Sequence, residues 1–154
     1  MTTPSALLDS NVIIACLVEA HEHHAASFAL FAEGSPGTFA VAAHSYAETY
    51  ATLTRPAPFG FAASHTRVAL ERVRAVTSLV GLTPSQTFDT VCRYAAAGGI
   101  GARLYDALIG QVAVDHGISV IVTWNTRHMA GLFPDVTIVT PVRFVAMRSR
   151  RSRT

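Results

Sequence analysis

Short apolar segments that alternate with amphipathic helical segments predict a parallel-sheet α/β sandwich, with the strand order left open. Two further observations support this fold class. Asp9 directly follows the first apolar segment, residues 6–8, and a polar run, residues 124–128, follows the β-branched segment 119–123. In an open α/β sheet the carboxyl ends of the strands form one edge, where ligands bind.

The first half of the chain is organised around Asp9. Residues 6–8 predict a buried strand that delivers Asp9 to its carboxyl end, and Ser10 or Asn11 is expected to cap a helix that continues to about residue 18. Apolar periodicity predicts further helices at about residues 25–32, 45–53 and 64–76, and short strands at residues 39–42 and 79–80.

The second half follows the same alternation. A helix is predicted at about residues 86–97, with Phe88, Val91 and Cys92 facing inward. Glycines at 98, 99 and 101 are read as a connector, since they lack the spacing and lysine of a phosphate loop. The next helix carries an apolar stripe at Tyr105, Leu108, Ile109, Val112 and Ala113 and closes at His116-Gly117. Strands are expected at residues 119–123 and 136–139.

Length and charge indicate one domain with a basic end. The chain has 154 residues, which suits a single domain over residues 1–147, and a basic, disordered tail is expected over residues 148–154. Every basic residue is an arginine, and four arginines in the last seven residues account for the positive net charge of +2. Such a tail could contact nucleic acid, although a disordered end is the simpler interpretation.

Nothing in the composition indicates a membrane or secreted protein. No apolar run reaches the roughly 18 residues of a membrane span, and the first residues carry no positive cluster before their apolar stretch. The two cysteines, Cys16 and Cys92, lie among apolar neighbours and are expected to be buried, reduced thiols. We therefore expect a soluble, cytoplasmic protein without membrane contact.

Three acids stand beside otherwise apolar segments: Asp9 after a strand, Glu48 in a helix and Asp106 at a helix start. Helix capping is the simpler role for both aspartates. If the three carboxylates meet, they repel one another by about 4 kcal/mol per pair at 4 Å and an effective dielectric near 20. Such a cluster requires protons or a divalent cation, and oxygen ligands favour Mg²⁺ or Mn²⁺.

A second group of potential ligands is the histidine cluster of His21, His23 and His24. Three histidines at a helix junction without a nearby cysteine are more typical of a solvated turn than of a metal site, and we interpret them as a turn.

Four motifs in order resemble a PIN-domain ribonuclease, and within that superfamily the VapC-type toxins of bacterial toxin–antitoxin pairs. The resemblance covers residues 7–140. Its motifs are Leu8-Asp9-Ser10-Asn11, Ser45-Tyr46-Ala47-Glu48, the stretch 101–109 around Tyr105-Asp106, and Thr123-Trp124-Asn125-Thr126-Arg127-His128.

The resemblance implies a three-layer α/β/α fold and a Mg²⁺-dependent endoribonuclease whose metal-binding acids match Asp9, Glu48 and Asp106. It also implies a VapB-type antitoxin that blocks the site, a homodimer, and a transfer or ribosomal RNA substrate. Four small polar residues are expected to position water or phosphate: Ser10, Asn11, Ser45 and Thr123. Arg127 is expected to bind the RNA.

One departure from the family pattern concerns a fourth acid, which the family often carries at or just beyond the position of Asn125. Here the loop offers Asn125 and His128, with no carboxylate before Asp135. Asn125 is therefore expected to act as a neutral ligand or water-positioning residue in catalysis. Because an amide brings no negative charge, a single tightly held ion is expected rather than two.

Two alternatives compete with this assignment. A haloacid-dehalogenase-type phosphotransferase would need a second acid where Asn11 stands, and a later lysine that the chain lacks. A non-catalytic RNA- or partner-binding PIN-like module with a degraded fourth acidic position is the stronger alternative, because of Asn125. RNA cleavage that depends on Asp9 would distinguish the ribonuclease from this non-catalytic module.

Overall fold

The computed structural model describes residues 3–32 and 34–151 and contains a five-stranded, all-parallel sheet. Its strand order is β3-β2-β1-β4-β5, so that the first strand of the chain is also the central strand of the sheet. The strands are β1 (Ala6–Leu8), β2 (Phe39–Ala42), β3 (Ser78–Val80), β4 (Val120–Val122) and β5 (Thr137–Val139).

Helices connect these strands, as parallel pairing requires. In the described residues they are α1 (Ser10–Leu17), α2 (His24–Ala32), α3 (Ala43–Thr54), α4 (Ala63–Val76), α5 (Pro84–Ala96), α6 (Leu104–Asp115), α7 (Thr126–Met129) and α8 (Pro141–Arg151). A short 3₁₀ turn, Gly101–Arg103, precedes α6. In this part of the chain no helix is long and apolar enough to cross a membrane.

The sheet is buried on both faces, because alternate strand residues pack against different helices. Leu8 and Ala6 of β1 lie in one apolar cluster with residues of α1, α2, α4 and α8. Leu7 points to the other face, in a cluster with Ile109 and Val112 of α6 and Met129 of α7. The predicted α/β/α sandwich is therefore confirmed, with α5 packed outside α6.

The strand order creates a switch point beside β1. The chain runs from β1 through β2 to β3 on one side, then returns to place β4 on the other side of β1. The crevice outside the carboxyl ends of β1 and β4 is where open α/β sheets bind ligands. Asp9 follows β1 and Thr123 follows β4, so both residues stand at this crevice.

Helix boundary signals in the sequence are confirmed in α5 and α6. Thr83 and Gln86 form a reciprocal capping box at the start of α5, with Pro84 in its first turn. The C-cap of α6 is His116, and Gly117 adopts φ 63°, a left-handed conformation that favours glycine.

Two local predictions were wrong. The cap of α1 is not Ser10 or Asn11 but Asp9, for which capping was the simpler role, because the Asp9 side chain accepts a hydrogen bond from the Ser10 backbone N–H. The inward face of α5 was also misassigned, since Thr90 is its buried residue whereas Phe88 and Cys92 are exposed and Val91 is half-buried.

The cysteine prediction was wrong for the same helix. Cys92 is an exposed thiol, and Cys16 is half-buried, with a pKa that burial raises to about 11. The raised pKa keeps the Cys16 thiol unionised at neutral pH, and an unionised thiol is a poor nucleophile.

The end of the chain departs from the expected disordered tail. Residues 148–151 form the last turn of α8, which packs against α2, while residues 152–154 lie outside the described residues. The physical reason is the apolar side of α8. Phe144 is buried, with its ring centroid 5.6 Å from that of Phe39, and Met147 packs against the same cluster. That packing stabilises the helix into its basic turn.

The packing of α6 on the second cluster gives a stability prediction. Gly110 is buried, and a Cβ atom placed there would lie 1.9 Å from a ring carbon of Phe133. We expect Gly110→Ala to lower the free energy of unfolding by about 1–2 kcal/mol in urea denaturation, because overpacking costs about 1–3 kcal/mol and helix propensity returns at most about 1.

Gly81→Ala is the matched control. Its Cβ would lie 3.6 Å from the Cβ of Ala43, an ordinary contact, so its stability should equal or slightly exceed that of the wild type. Equal stability of the Gly110 and Gly81 variants would contradict the close packing of Phe133 on α6.

Candidate active site

The site begins with Asp9, whose side chain is only 8% exposed at the end of the central strand. Its Oδ1 atom accepts a hydrogen bond of 2.7 Å from the Ser10 backbone N–H. Its Oδ2 atom accepts one of 2.7 Å from the Thr123 hydroxyl, which comes from the end of the neighbouring strand β4. The carboxylate therefore joins the two strand ends at the switch point.

Asn11 completes this junction with both ends of its amide. Its Nδ2 atom donates to Asp9 Oδ2 and to Thr123 Oγ1, each over 2.9 Å, and its Oδ1 atom accepts from the Trp124 backbone N–H over 3.1 Å. These contacts hold Asp9 in one orientation. The predicted small polar residues Ser10, Asn11 and Thr123 thus lie at the site, in direct contact with its first acid.

The charged form of Asp9 remains unfavourable despite these donors. Burial raises the pKa of Asp9 above its ordinary value, and the hydrogen bonds from Thr123, Ser10 and Asn11 only partly oppose this shift. A buried carboxylate of this kind is stabilised by a nearby cation or by a proton.

Glu48 reaches the site from α3, which begins directly after β2, the neighbour of β1. Burial raises the pKa of Glu48 to about 7, and the negative charges of Asp9 and Asp106 contribute to the same shift. The two electrostatic contributions show that Glu48 lies within range of both other acids.

Asp106 stands in the first turn of α6 and is half-buried. Its pKa is raised by burial and by the charge of Asp9, while His128 and Arg103 act in the opposite direction. The structure therefore places the three predicted acids where their charges interact with one another. It also adds Arg103, a neighbour of Asp106 that sequence reasoning did not assign to the site.

Chemically, this donor set fits a hard divalent cation. All three acids offer carboxylate oxygens, and each has a charged form that is destabilised where it stands. Within residues 3–32 and 34–151, however, no group of three or more His, Cys, Asp or Glu side chains is arranged so that it could hold a metal ion.

Ser45 and His44 form a second polar feature beside the acids, one turn before Glu48 on α3. Among the described residues, two buried side-chain atoms have no hydrogen-bond partner, namely Ser45 Oγ and His44 Nε2. The His44 ring stacks on Tyr105, the residue before Asp106, and burial lowers the pKa of His44 to about 4. Sequence reasoning missed His44, although the one-turn spacing to Glu48 could have indicated it.

Asn125 follows β4 directly after Trp124, and Arg127 lies in the short helix that comes next. Both are exposed, and it is the backbone N–H of Asn125 that donates to Thr123 Oγ1, over 3.0 Å. The short helix α7, which the sequence did not indicate, begins at the next residue and carries Arg127 and His128. The assignment of Asn125 to catalysis and of Arg127 to substrate stays a prediction.

The histidine cluster lies at a turn, as predicted, but its side chains are half-buried rather than solvated. His24 Nδ1 lies 3.1 Å from the carbonyl oxygen of Ala15. The ring of His23 stacks on Trp124, with centroids 3.9 Å apart and an interplanar angle of 12°. The turn between α1 and α2 is therefore in contact with the loop after β4.

Comparison with known proteins gives the same assignment. The PIN domain family matches residues 6–131 of this chain. Ribonuclease VapC27 of Mycobacterium tuberculosis is 32% identical over 115 residues, which are 73% of this chain and 80% of that protein. The chain therefore belongs to the PIN-domain family.

Solved structures share the fold. Mycobacterium tuberculosis VapC20, described as a toxin that cleaves the sarcin–ricin loop, has a TM-score of 0.68 at 19% identity and covers 86% of this chain and 99% of its own. VapBC2 from Rickettsia felis, bound to a DNA fragment from its promoter, has a TM-score of 0.58 at 15% identity, over 86% of this chain and 96% of its own. Together with the curated relative, these matches confirm the resemblance to the VapC type.

The raised pKa of Glu48 predicts how the stability of the protein depends on pH when a chelator keeps it free of metal. Between pH 4.5, its ordinary pKa, and about pH 7, the folded protein binds a proton that the unfolded chain has lost. The free energy of unfolding should therefore fall as the pH rises through this window. Glu48→Gln removes this part of the decrease, and we expect it to be more stable than the wild type at pH 8 by on the order of 1 kcal/mol, after screening.

Chemical denaturation between pH 4 and pH 8 measures this difference. The exposed Glu19→Gln variant serves as the control and should follow the wild type at every pH. If Glu48→Gln also followed the wild type, the raised pKa of Glu48 would be wrong.

Proposed function

We propose that this protein is a Mg²⁺-dependent endoribonuclease that hydrolyses phosphodiester bonds in RNA, and that it is the toxin of a toxin–antitoxin pair. The observation that carries the proposal is the electrostatic interaction among Asp9, Glu48 and Asp106. These three acids lie at the switch point of the sheet, and each has a raised pKa. Three destabilised carboxylates at a ligand-binding edge are suited to a divalent cation and an RNA phosphate.

In this mechanism, Asp9, Glu48 and Asp106 would hold one Mg²⁺ ion, with Mn²⁺ as a substitute. Such an ion, when bound by these residues, would lower the pKa of a water molecule and offset the negative charge that develops on the leaving oxygen. Asp9 orients the site, because its three side-chain and backbone donors fix its carboxylate plane. With the cation bound, Glu48 would be an ionised ligand beside Asp9 and Asp106, because a nearby cation lowers the pKa that burial and these two acids raise.

The remaining polar residues would position the RNA. Thr123 and Asn11 hold Asp9, and the unpaired hydroxyl of Ser45, which is fully buried, is suited to position a water molecule. Arg127 is exposed on α7 beside the site, where a guanidinium binds phosphate well. Asn125 would position water as a neutral residue. The RNA itself, transfer or ribosomal, is left open by these contacts.

A VapB-type antitoxin and a second copy of the chain are the proposed partners. The relatives support an antitoxin, because VapBC2 carries two components in its name. Exposed apolar side chains support a dimer, since Phe88 on α5 is 68% exposed and Ile100, in the segment before α6, is 84% exposed. Among the aromatic residues of α3 and the segment after it, Tyr50 and Phe61 are also exposed, while Tyr46 and Phe59 are half-buried. A toxin that acts on cellular RNA would work in the cytoplasm.

A non-catalytic PIN-like module that binds RNA or a partner is the second candidate. Two observations favour it: the exposed amide of Asn125 where a fourth acid is expected, and the spacing of the acids, which form no metal-ready group in the described residues. Such a module would bind its partner without cleaving RNA.

Asp9→Asn separates the two candidates. Because the variant removes a central metal ligand, we expect cleavage of RNA in Mg²⁺ to fall on the order of a hundredfold or more, together with weaker Mn²⁺ binding in calorimetry. Asp89→Asn, on the exposed face of α5, should retain both properties. Wild-type protein that binds Mn²⁺ no better than Asp9→Asn and cleaves no RNA would favour the non-catalytic module.

Substitutions at Asn125 test the missing fourth acid. Asn125→Asp should shift the cleavage rate to lower Mn²⁺ concentrations, because another carboxylate attracts a second cation. Asn125→Ala should reduce cleavage less than Asp9→Asn does. Cleavage rates over a Mn²⁺ titration measure both effects. An identical Mn²⁺ dependence in the wild type and both variants would place Asn125 outside the site.

A further inference from the structure

The contact between His23 and Trp124 joins two segments that are far apart in the chain. His23 ends the turn between α1 and α2, and Trp124 follows β4. The two rings are nearly parallel, at 12°, with centroids 3.9 Å apart. This geometry is a face-to-face stack, in which one face of the imidazole is covered by the indole.

The indole beneath His23 is held from two sides. Its Nε1 atom donates a hydrogen bond of 3.0 Å to the hydroxyl of the buried Ser27 on α2. The backbone N–H of Trp124 donates to Asn11 Oδ1 over 3.1 Å, and the ring packs against the apolar cluster of α1 and α2. Trp124 is therefore a fixed support, and the orientation of the His23 ring is set before any ligand binds.

The stack remains open on its outer side. The His23 side chain is 37% exposed, and because Trp124 covers one ring face, the exposed area belongs to the other face and the edges. The His21 ring lies beside it, with centroids 5.6 Å apart and a tilt of 43°. A fixed aromatic ring with a free face is what proteins use to stack an unpaired nucleobase.

The position of the stack relates it to the acids. Trp124 directly follows Thr123, whose hydroxyl donates to Asp9 Oδ2, and Asn11 contacts both Asp9 and the Trp124 backbone. His23 is therefore connected to the Asp9 site through Trp124 and the two residues that hold it, Thr123 and Asn11. The helix that follows the same loop, α7, carries the exposed Arg127, a side chain suited to the RNA backbone.

We propose that His23, supported by Trp124, is the platform on which a nucleobase of the RNA strand stacks next to the acidic site. The proposal deepens the ribonuclease function and rests on it. It identifies His23 as a residue that selects substrate by base stacking. A protein segment is a poorer match, because the platform is a single flat ring beside a phosphate-binding position rather than an apolar groove.

Binding of defined oligonucleotides tests the platform without cleavage. The probes are fluorescein-labelled eight-residue oligomers of adenylate, of uridylate and of abasic ribose phosphate, added to the full-length protein in EDTA. Stacking predicts that affinity falls from adenylate to uridylate to the abasic oligomer. Because Trp124 is the single tryptophan of the chain, its fluorescence should change with adenylate and not with the abasic oligomer.

Four variants separate stacking from other contributions. His23→Ala should weaken adenylate binding about fivefold or more and leave abasic binding unchanged. His23→Phe keeps an aromatic ring and should retain most of the preference for adenylate over the abasic oligomer. Arg127→Gln should weaken binding of all three oligomers by the same factor, because it acts on phosphate. His65→Ala, exposed on α4, should have no effect. Thermal unfolding of each variant verifies its fold.

The proposal is overturned if the wild type binds the adenylate and abasic oligomers equally well, if it binds neither, or if His23→Ala retains the full preference. These outcomes are distinct from failure of the ribonuclease function, which Asp9→Asn tests through cleavage. A His23-dependent preference in a protein that cleaves no RNA would support the platform and refute the nuclease.

Discussion

The constraint on which this structure depends is the burial of the Asp9 carboxylate at the end of the central strand. Thr123, Ser10 and Asn11 donate hydrogen bonds to it, yet its pKa stays raised, so the donors compensate burial only in part. A buried negative charge is unfavourable without a cation. The other acids and polar residues of the site are therefore grouped around a carboxylate that favours cation binding.

Sheet topology supplies that arrangement. With β1 between β2 and β4, α3 brings Glu48 from one side, and the loop after β4 brings Thr123 and Trp124 from the other. α6 adds Asp106, whose charge Arg103 and His128 partly balance. The same loop links Asp9 to α2 through Trp124, so the acids and the stack of His23 on Trp124 depend on one loop. Displacement of that loop would affect both.

Most of the fold could be predicted from the sequence, because its signals are local. The β-branched or apolar runs of the strands and the glycine at 117 act within a few residues and are found where they were expected. The capping box at Thr83, seen in the structure, is a local signal of the same kind. The three acids could be identified in the same way, as carboxylates at the ends of apolar segments. The family resemblance then ordered them into one site, and their mutual electrostatic shifts support that grouping.

The sequence by itself thus determined the fold class, the five strands with the helices that join β1 to β4, and the three acids as candidates. Only the tertiary structure decided the strand order, the open face of α5 and the helical end of the chain, since each depends on partners distant in sequence. Phe88 belongs to an apolar stripe but has no layer to cover it, whereas Phe144 finds Phe39 and stabilises α8. The stack of His23 on Trp124 likewise joins residues a hundred positions apart, because packing, unlike helix or strand periodicity, leaves no local pattern.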